Sequence, residues 1–134
     1  MLLRIQSVII HCSDLPRSIE FYRDRLGFPV KRQSEDQAAF HCGPVTLVLR
    51  LANPAPHSPP PAAATHKSNP ASAPGQAQLS FEVLHLDAFY EEKKALGVEF
   101  ALPPTPPSPN DFGKKLAVLL DPDRFPITVV QEIR

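Results

Sequence analysis

The stretch Val8-Ile-Ile-His-Cys-Ser-Asp-Leu-Pro-Arg-Ser-Ile-Glu-Phe-Tyr-Arg-Asp-Arg-Leu-Gly-Phe28 reads as strand, cap, helix, glycine stop and next strand. Val8, Ile9 and Ile10 are β-branched and suit a pleated surface. Asp14 can accept hydrogen bonds from the first free amides of a helix. Pro16 then falls in the first turn, where its missing N–H costs nothing. Leu15, Ile19, Tyr22 and Leu26 follow at spacings of four, three and four, which line one helix face. Gly27 can take the left-handed conformation that stops the helix.

The plan recurs at Leu79-Ser-Phe-Glu-Val-Leu-His-Leu-Asp-Ala-Phe-Tyr-Glu-Glu-Lys-Lys-Ala-Leu-Gly-Val98, with Leu86, Phe89 and Tyr90 on the stripe and Gly97 as the stop. Two copies in one short chain point to a duplicated module rather than to an isolated helix between strands. The spacing predicts helices near 15–26 and 86–96. Strands are expected at 28–34, 37–42 and 45–51 in the first copy, and at 116–120 and 127–133 in the second.

Strand alternation assigns faces. With Val8, Ile10 and Cys12 toward the helix, Ser7, Ile9 and His11 face the other side. With Leu79, Phe81 and Val83 toward the second helix, Gln78, Ser80 and Glu82 are opposite. Apolar and polar sets separate more cleanly in the second strand, which supports that register.

Between the copies the composition changes abruptly. Residues 52–77 hold seven prolines among 26 residues, and the rest are mostly Ala, Ser, His, Asn and Thr. Such a segment buries little apolar surface and is expected to be an extended linker without regular structure. A lid or a docking site for a partner domain is the alternative. The domain organisation is thus one unit over 1–134, with module 1 over about 1–51, the linker, and module 2 over about 78–134. Five further prolines between Leu102 and Asn110 make a stiff loop.

The 134 residues carry 14 Lys plus Arg against 14 Asp plus Glu, a formal net charge of zero. No basic stripe or acidic tail marks a nucleic-acid partner. Two cysteines, Cys12 and Cys42, make no disulfide framework and fit a reducing compartment. No apolar run reaches membrane-spanning length and the N-terminus lacks a secretory pattern, so a cytoplasmic protein without a membrane partner is expected. Phosphate-binding glycine loops and nucleophile elbows are missing from the sequence.

The motifs Ser13-Asp-Leu-Pro-Arg-Ser-Ile-Glu-Phe-Tyr22, Leu26-Gly-Phe28, Phe81-Glu-Val83, Leu96-Gly-Val-Glu-Phe100 and Leu120-Asp-Pro-Asp123 occur in an order and spacing that covers nearly the whole chain. In these the sequence resembles the glyoxalase, bleomycin-resistance and extradiol-dioxygenase superfamily, also called vicinal oxygen chelate. The resemblance implies an α+β fold of two βαβββ modules, with curled mixed sheets around a cleft. It does not imply one reaction, because the superfamily includes isomerases, dioxygenases, antibiotic-modifying enzymes and metal-free binding proteins. It also implies frequent homodimers, and a homodimer is expected. At Asp121-Pro-Asp-Arg-Phe-Pro126, Arg124 and Phe125 replace the Gly and Asn of the family's turn. The lost glycine predicts a changed turn geometry.

The resemblance also locates the family's metal site. Its usual ligand positions map to Ser7, Gln78 and Thr128, and the strand from Val45 to Leu49 offers no His, Asp or Glu. Ser, Thr and Gln are weak neutral ligands for a divalent ion. The expectation is therefore no metal and no cofactor. The candidate ligand-binding residues are Ser7, Ile9, His11, Gln78, Ser80, Glu82 and Thr128, with Phe112 at the cleft mouth. His11-Cys12 and His41-Cys42 do not chelate as adjacent pairs, since neighbours on a strand point to opposite faces. His11 and Glu82 are equivalent by the repeat but are expected at opposite ends of the cleft, as separate polar contacts rather than an acid/base dyad. The favoured reading is a metal-free protein that binds a small organic molecule, of the sequestration or resistance type. The alternative is a metal-dependent lyase, isomerase or dioxygenase with shifted ligands such as His11 and Glu82.

Overall fold

The Asp14 carboxylate accepts a hydrogen bond from the Arg17 amide at 3.1 Å, so the first helix starts where the cap residue and Pro16 place it. The structure, a computed structural model, describes residues 1–52, 77–106 and 114–132. All of the 52–77 segment except its two ends lies outside the described residues, as does Phe112.

Among the described residues eight strands and two helices follow the predicted order. Module 1 contains β1 (Ser7–Cys12), α1 (Leu15–Glu20), β2 (Val30–Gln33), β3 (Gln37–Cys42) and β4 (Val45–Leu51). Module 2 contains β5 (Leu79–Glu82), α2 (Leu86–Ala95), β6 (Glu99–Leu102), β7 (Lys115–Leu120) and β8 (Pro126–Gln131). Each module is a four-stranded mixed sheet, ordered β1-β4-β3-β2 and β5-β8-β7-β6. The parallel pairs β1–β4 and β5–β8 join the ends of each module, and the other pairings are antiparallel. This is the expected pair of βαβββ modules.

The predicted stripe forms the core of module 1. Leu15, Ile19 and Tyr22 are buried with Ile10 and Cys12 of β1, Ala38 and Phe40 of β3, and Leu47 and Leu49 of β4. In module 2, Leu86 is buried with Ala117, Leu119, Ile127 and Val129. Alternation along the strands therefore sends one residue set to the helix and leaves the other on the opposite face. Gly27 and Gly97 end the helical segments at φ 91° and 88°, the left-handed region expected of both. One local feature differs from a plain helix. After Glu20 the chain widens into a π-turn over Phe21–Arg25, with the Leu26 amide donating to the Phe21 carbonyl at 3.0 Å. Both Phe21 and Tyr22 are buried there.

Helix and turn from opposite modules meet at Tyr22 and Asp121. The Tyr22 hydroxyl donates to Asp121 Oδ2 at 2.8 Å, and both residues are buried. Asp121 Oδ1 accepts from the amides of Asp123 at 2.9 Å and Phe125 at 2.8 Å. Asp123 in turn accepts hydrogen bonds from the amide and hydroxyl of Ser13, at the end of β1. Phe28 and Phe81 bring the modules together a second time, with ring centroids 5.3 Å apart.

The turn also corrects an expectation. Arg124, where the family motif has glycine, takes φ 65° itself, so the left-handed residue is kept and not replaced by another geometry. The Arg124 amide donates to the Asp121 carbonyl at 2.8 Å, and its guanidinium pairs with Glu99 at 3.1 Å. The amides held by Asp121 dictate the turn, and the side chain tolerates it.

Burial foremost, and then the Asp121 carboxylate, push the Tyr22 hydroxyl well above the ordinary tyrosine pKa. A group whose pKa is raised on folding contributes stability that is complete below its unfolded pKa, about 10, and is lost above it. Tyr22→Phe is expected to cost about 2 kcal/mol at neutral pH, the scale of a hydrogen bond to a charged acceptor. Above about pH 10 the wild-type stability should fall by up to about 1.4 kcal/mol per pH unit more steeply than that of Tyr22→Phe. Urea melts of both proteins from neutral to alkaline pH measure this. The buried Cys12 thiol, also raised in pKa by burial, is common to both and cancels.

Arg124→Gly relieves a left-handed non-glycine residue, worth about 1–2 kcal/mol. It gives up an exposed ion pair worth about 0–1 kcal/mol. A small net stabilisation is expected in the same melts, and a Glu99→Gln variant separates the ion pair from the backbone.

Candidate functional site

The face of sheet 1 turned away from α1 carries three cross-strand rows. Pairing puts Ser7 beside Thr46 and Thr46 beside His41. The next row is Ile9, Val48, Ala39 and Arg32. A third is His11, Arg50 and Gln37. The middle row is an apolar floor, with Ile9 left 41% exposed on it, and the flanking rows are polar. A cavity of about 340 Å³ opens over this face.

A β-bulge shapes the edge of that cavity. Val30 opposes Phe40, and Arg32 opposes the next residue along β3, Ala39, so Lys31 is the extra residue. Val30 points to the core side with Phe40. The bulge then lets two successive residues, Lys31 and Arg32, reach the open face. The Lys31 ammonium donates to Thr46 Oγ1 at 3.3 Å, and Arg50 Nη2 donates to Gln37 Oε1 at 3.4 Å.

Sheet 2 repeats the architecture with different chemistry. Its corresponding row is Ser80, Thr128, Val118 and Leu102, and the next is Glu82, Val130 and Leu116. The same bulge occurs between Phe100 and Leu102. It presents Ala101 and Leu102 where module 1 presents Lys31 and Arg32.

The residues singled out from sequence are distributed over these surfaces. Ser7 and Ile9 line the sheet 1 cavity. Ile9 and His11 also line a groove at the seam between β1 and β5, with Gln78 and Phe125. Glu82 lies at an apolar cavity of about 190 Å³ bounded by Phe28, Phe81 and Phe89. Ser80 and Thr128 neighbour each other on sheet 2. His11 and Glu82 therefore border different cavities. Sequence reading did not single out Thr46, Gln37, Lys31, Arg32 and Arg50. The one signal for the two bulge residues was the doublet Lys31-Arg32 itself, which strict alternation would split between faces.

A divalent ion needs several anionic or imidazole donors to replace its water. Ser7 meets Thr46, and Thr128 meets Ser80, so the mapped positions bring neutral hydroxyls together. Among the described residues no three of His, Cys, Asp and Glu converge. The donors present do not fit the ion that the family's usual site holds.

Two βαβββ modules tied helix to turn, each offering one open sheet face, define a paired-module α+β protein. The chain belongs to the Glyoxalase/Bleomycin resistance protein/Dioxygenase superfamily, which it matches over residues 4–129. Its structure is similar to the crystal structure of SMU.1112c, with 28% identity, a TM-score of 0.75, and 97% of this chain and 99% of that chain covered. The glyoxalase family protein from Enterococcus faecalis is 26% identical, with a TM-score of 0.72 over 95% of this chain and 96% of that chain. Lactoylglutathione lyase from Agrobacterium tumefaciens shares the fold at 20% identity, with a TM-score of 0.68 over 96% of this chain and 92% of that chain. A search of curated proteins finds no match.

Proposed function

We propose that this protein binds a small organic molecule on the open face of sheet 1, without a catalytic metal, in the manner of sequestering rather than reacting members of its superfamily. The observation that carries the reading is the cavity of about 340 Å³ over an apolar floor of Ile9, Val48 and Ala39, flanked by Ser7, Thr46 and Gln37. That size and mixture suit a small ligand held by shape and a few directed hydrogen bonds. The neutral hydroxyls at the mapped ligand positions support the metal-free part. The working form proposed is a homodimer in the cytoplasm. Leu2, Leu3 and, beyond Arg4, Ile5 are 97%, 89% and 66% exposed, apolar surface that a second copy would cover. Among the described residues no helix is long and apolar enough to cross a membrane.

Thermal melting against a panel of small organic molecules, with and without Zn, Ni, Mn or Fe, tests the reading. Ligand-dependent stabilisation is expected in the presence of a chelator, and elemental analysis after dialysis against each metal should find far less than one ion per chain. Near-stoichiometric metal lost in a Ser7→Ala, Gln78→Ala, Thr128→Ala variant would return the protein to the metal-dependent enzymes.

For the dimer, sedimentation velocity at micromolar concentration should give about twice the 14.8 kDa chain mass. A Leu2→Asp, Leu3→Asp variant should shift it toward the single chain. A wild-type species at 14.8 kDa alone rules the dimer out.

A further inference from the structure

The chain has no net charge, yet the sheet 1 cavity does. Lys31, Arg32 and Arg50 line it, and among the described residues no Asp or Glu does. None of the three makes an ion pair among the described residues. Two of them are oriented by uncharged acceptors, Lys31 by Thr46 and Arg50 by Gln37. Such partners hold a cation in place without neutralising it. Asp36, in the β2–β3 turn, does not line the cavity, and its Oδ1 accepts from the Ser34 hydroxyl at 3.0 Å.

Charged residues on an edge strand often have a simpler purpose, to keep the edge from pairing with another chain. β2 is such an edge, and that would account for Lys31 and Arg32. It does not account for Arg50, which projects from β4, an interior strand of the sheet. Nor does it account for module 2, where the same bulge on the equivalent edge presents Ala101 and Leu102. The cations are a property of one face.

We infer that the sheet 1 cavity takes an organic anion, drawn by the joint positive charge of Lys31, Arg32 and Arg50 around its rim, with its carbon skeleton laid on Ile9, Val48 and Ala39. This rests on the small-molecule reading above and gives it a ligand class. Guanidinium groups match the paired oxygens of a carboxylate or a phosphonate, and a lysine adds a point charge to either. Ser7 and Gln37 supply further hydrogen bonds at the rim. An anion would also relieve the mutual repulsion of three like charges, so binding and stability rise together.

The test is calorimetric titration with benzoate, phenylphosphonate, benzyl alcohol and benzylamine, which share a ring and differ in head-group charge. Benzoate or phenylphosphonate should bind at least about tenfold more tightly than benzyl alcohol, with benzylamine weakest, and whichever anion leads identifies the oxyanion. Raising salt from about 0.05 to about 0.5 M should weaken the anions and leave benzyl alcohol unchanged, because the attraction is screened. Lys31→Gln with Arg32→Gln, and Arg50→Gln separately, should each lose at least about tenfold in anion affinity. Their melting temperatures should equal or exceed wild type, because a repulsive charge has been removed, so lost binding is not lost folding. Amide NMR shifts on adding the anion should centre on Ile9, Arg32 and Val48. If benzyl alcohol binds as tightly as the anions, or the variants bind anions unchanged, the anion inference falls and small-molecule binding stands. If no probe of any charge binds up to millimolar concentration, both fall.

Discussion

A single buried carboxylate holds the two halves of this protein in register. Asp121 takes the hydroxyl of Tyr22 on one oxygen and two turn amides on the other, which leaves little of its hydrogen-bonding capacity to water. A buried acid without these partners would be costly, so the arrangement is all or nothing. It sets where the module 1 helix lies against the β7–β8 turn. That in turn brings Asp123 to Ser13 at the end of β1. It also forces Arg124 into a backbone region that favours glycine, a local cost accepted for the three hydrogen bonds.

Duplication explains why the two open faces share a backbone but not a chemistry. Both modules have the same strand order and the same bulge on the edge strand. A bulge changes which side chains reach a face without changing the core behind it. The core residues Phe40 and Leu119 oppose Val30 and Phe100 at the two bulges, so the packing is conserved in kind while the face is free to change. Module 1 uses that freedom for two cations and module 2 for alanine and leucine. Neither change disturbs helix packing, because the altered residues point away from it.

Much of the fold was legible because it rests on local signals stated twice. Asp14, Pro16 and Gly27 mark one helix, Gly97 ends the other, and alternation in β1 and β5 assigns the faces. Those signals act within a few residues and need no knowledge of the rest of the chain. The tie between Tyr22 and Asp121 spans 99 positions, and Tyr22 reads from sequence as one more apolar residue on a stripe. Arg124 was misread for the same reason, since the amides that dictate its conformation are held by a long-range contact. The site suffered most. Period-two alternation assigns neighbours to opposite faces, and the bulge at Lys31 breaks that rule at the place where two charges gather. Apart from its two ends, the 52–77 segment lies outside the described residues, as does Phe112.

In the proposed reading, the charge on sheet 1 takes the place of the donors of the family's metal site in drawing a ligand to the face. A divalent ion would bring concentrated positive charge to a ligand oxygen and draw electrons from the bond beneath it. Lys31, Arg32 and Arg50 bring positive charge of another kind, spread over three exposed side chains and several N–H donors. Such groups attract and orient an oxyanion at little cost in desolvation, because they remain partly in water. Single hydrogen bonds of 3.3 and 3.4 Å orient Lys31 and Arg50 on opposite sides of the apolar row, which is not the close, convergent geometry that makes a charge act on one bond. Electrostatics of this kind favours holding a molecule over transforming it. The same reasoning ties the neutral Ser7 and Thr46 pair to the cations around it: hydroxyls that cannot replace a metal's hydration can still direct the oxygens of a ligand whose charge is met elsewhere.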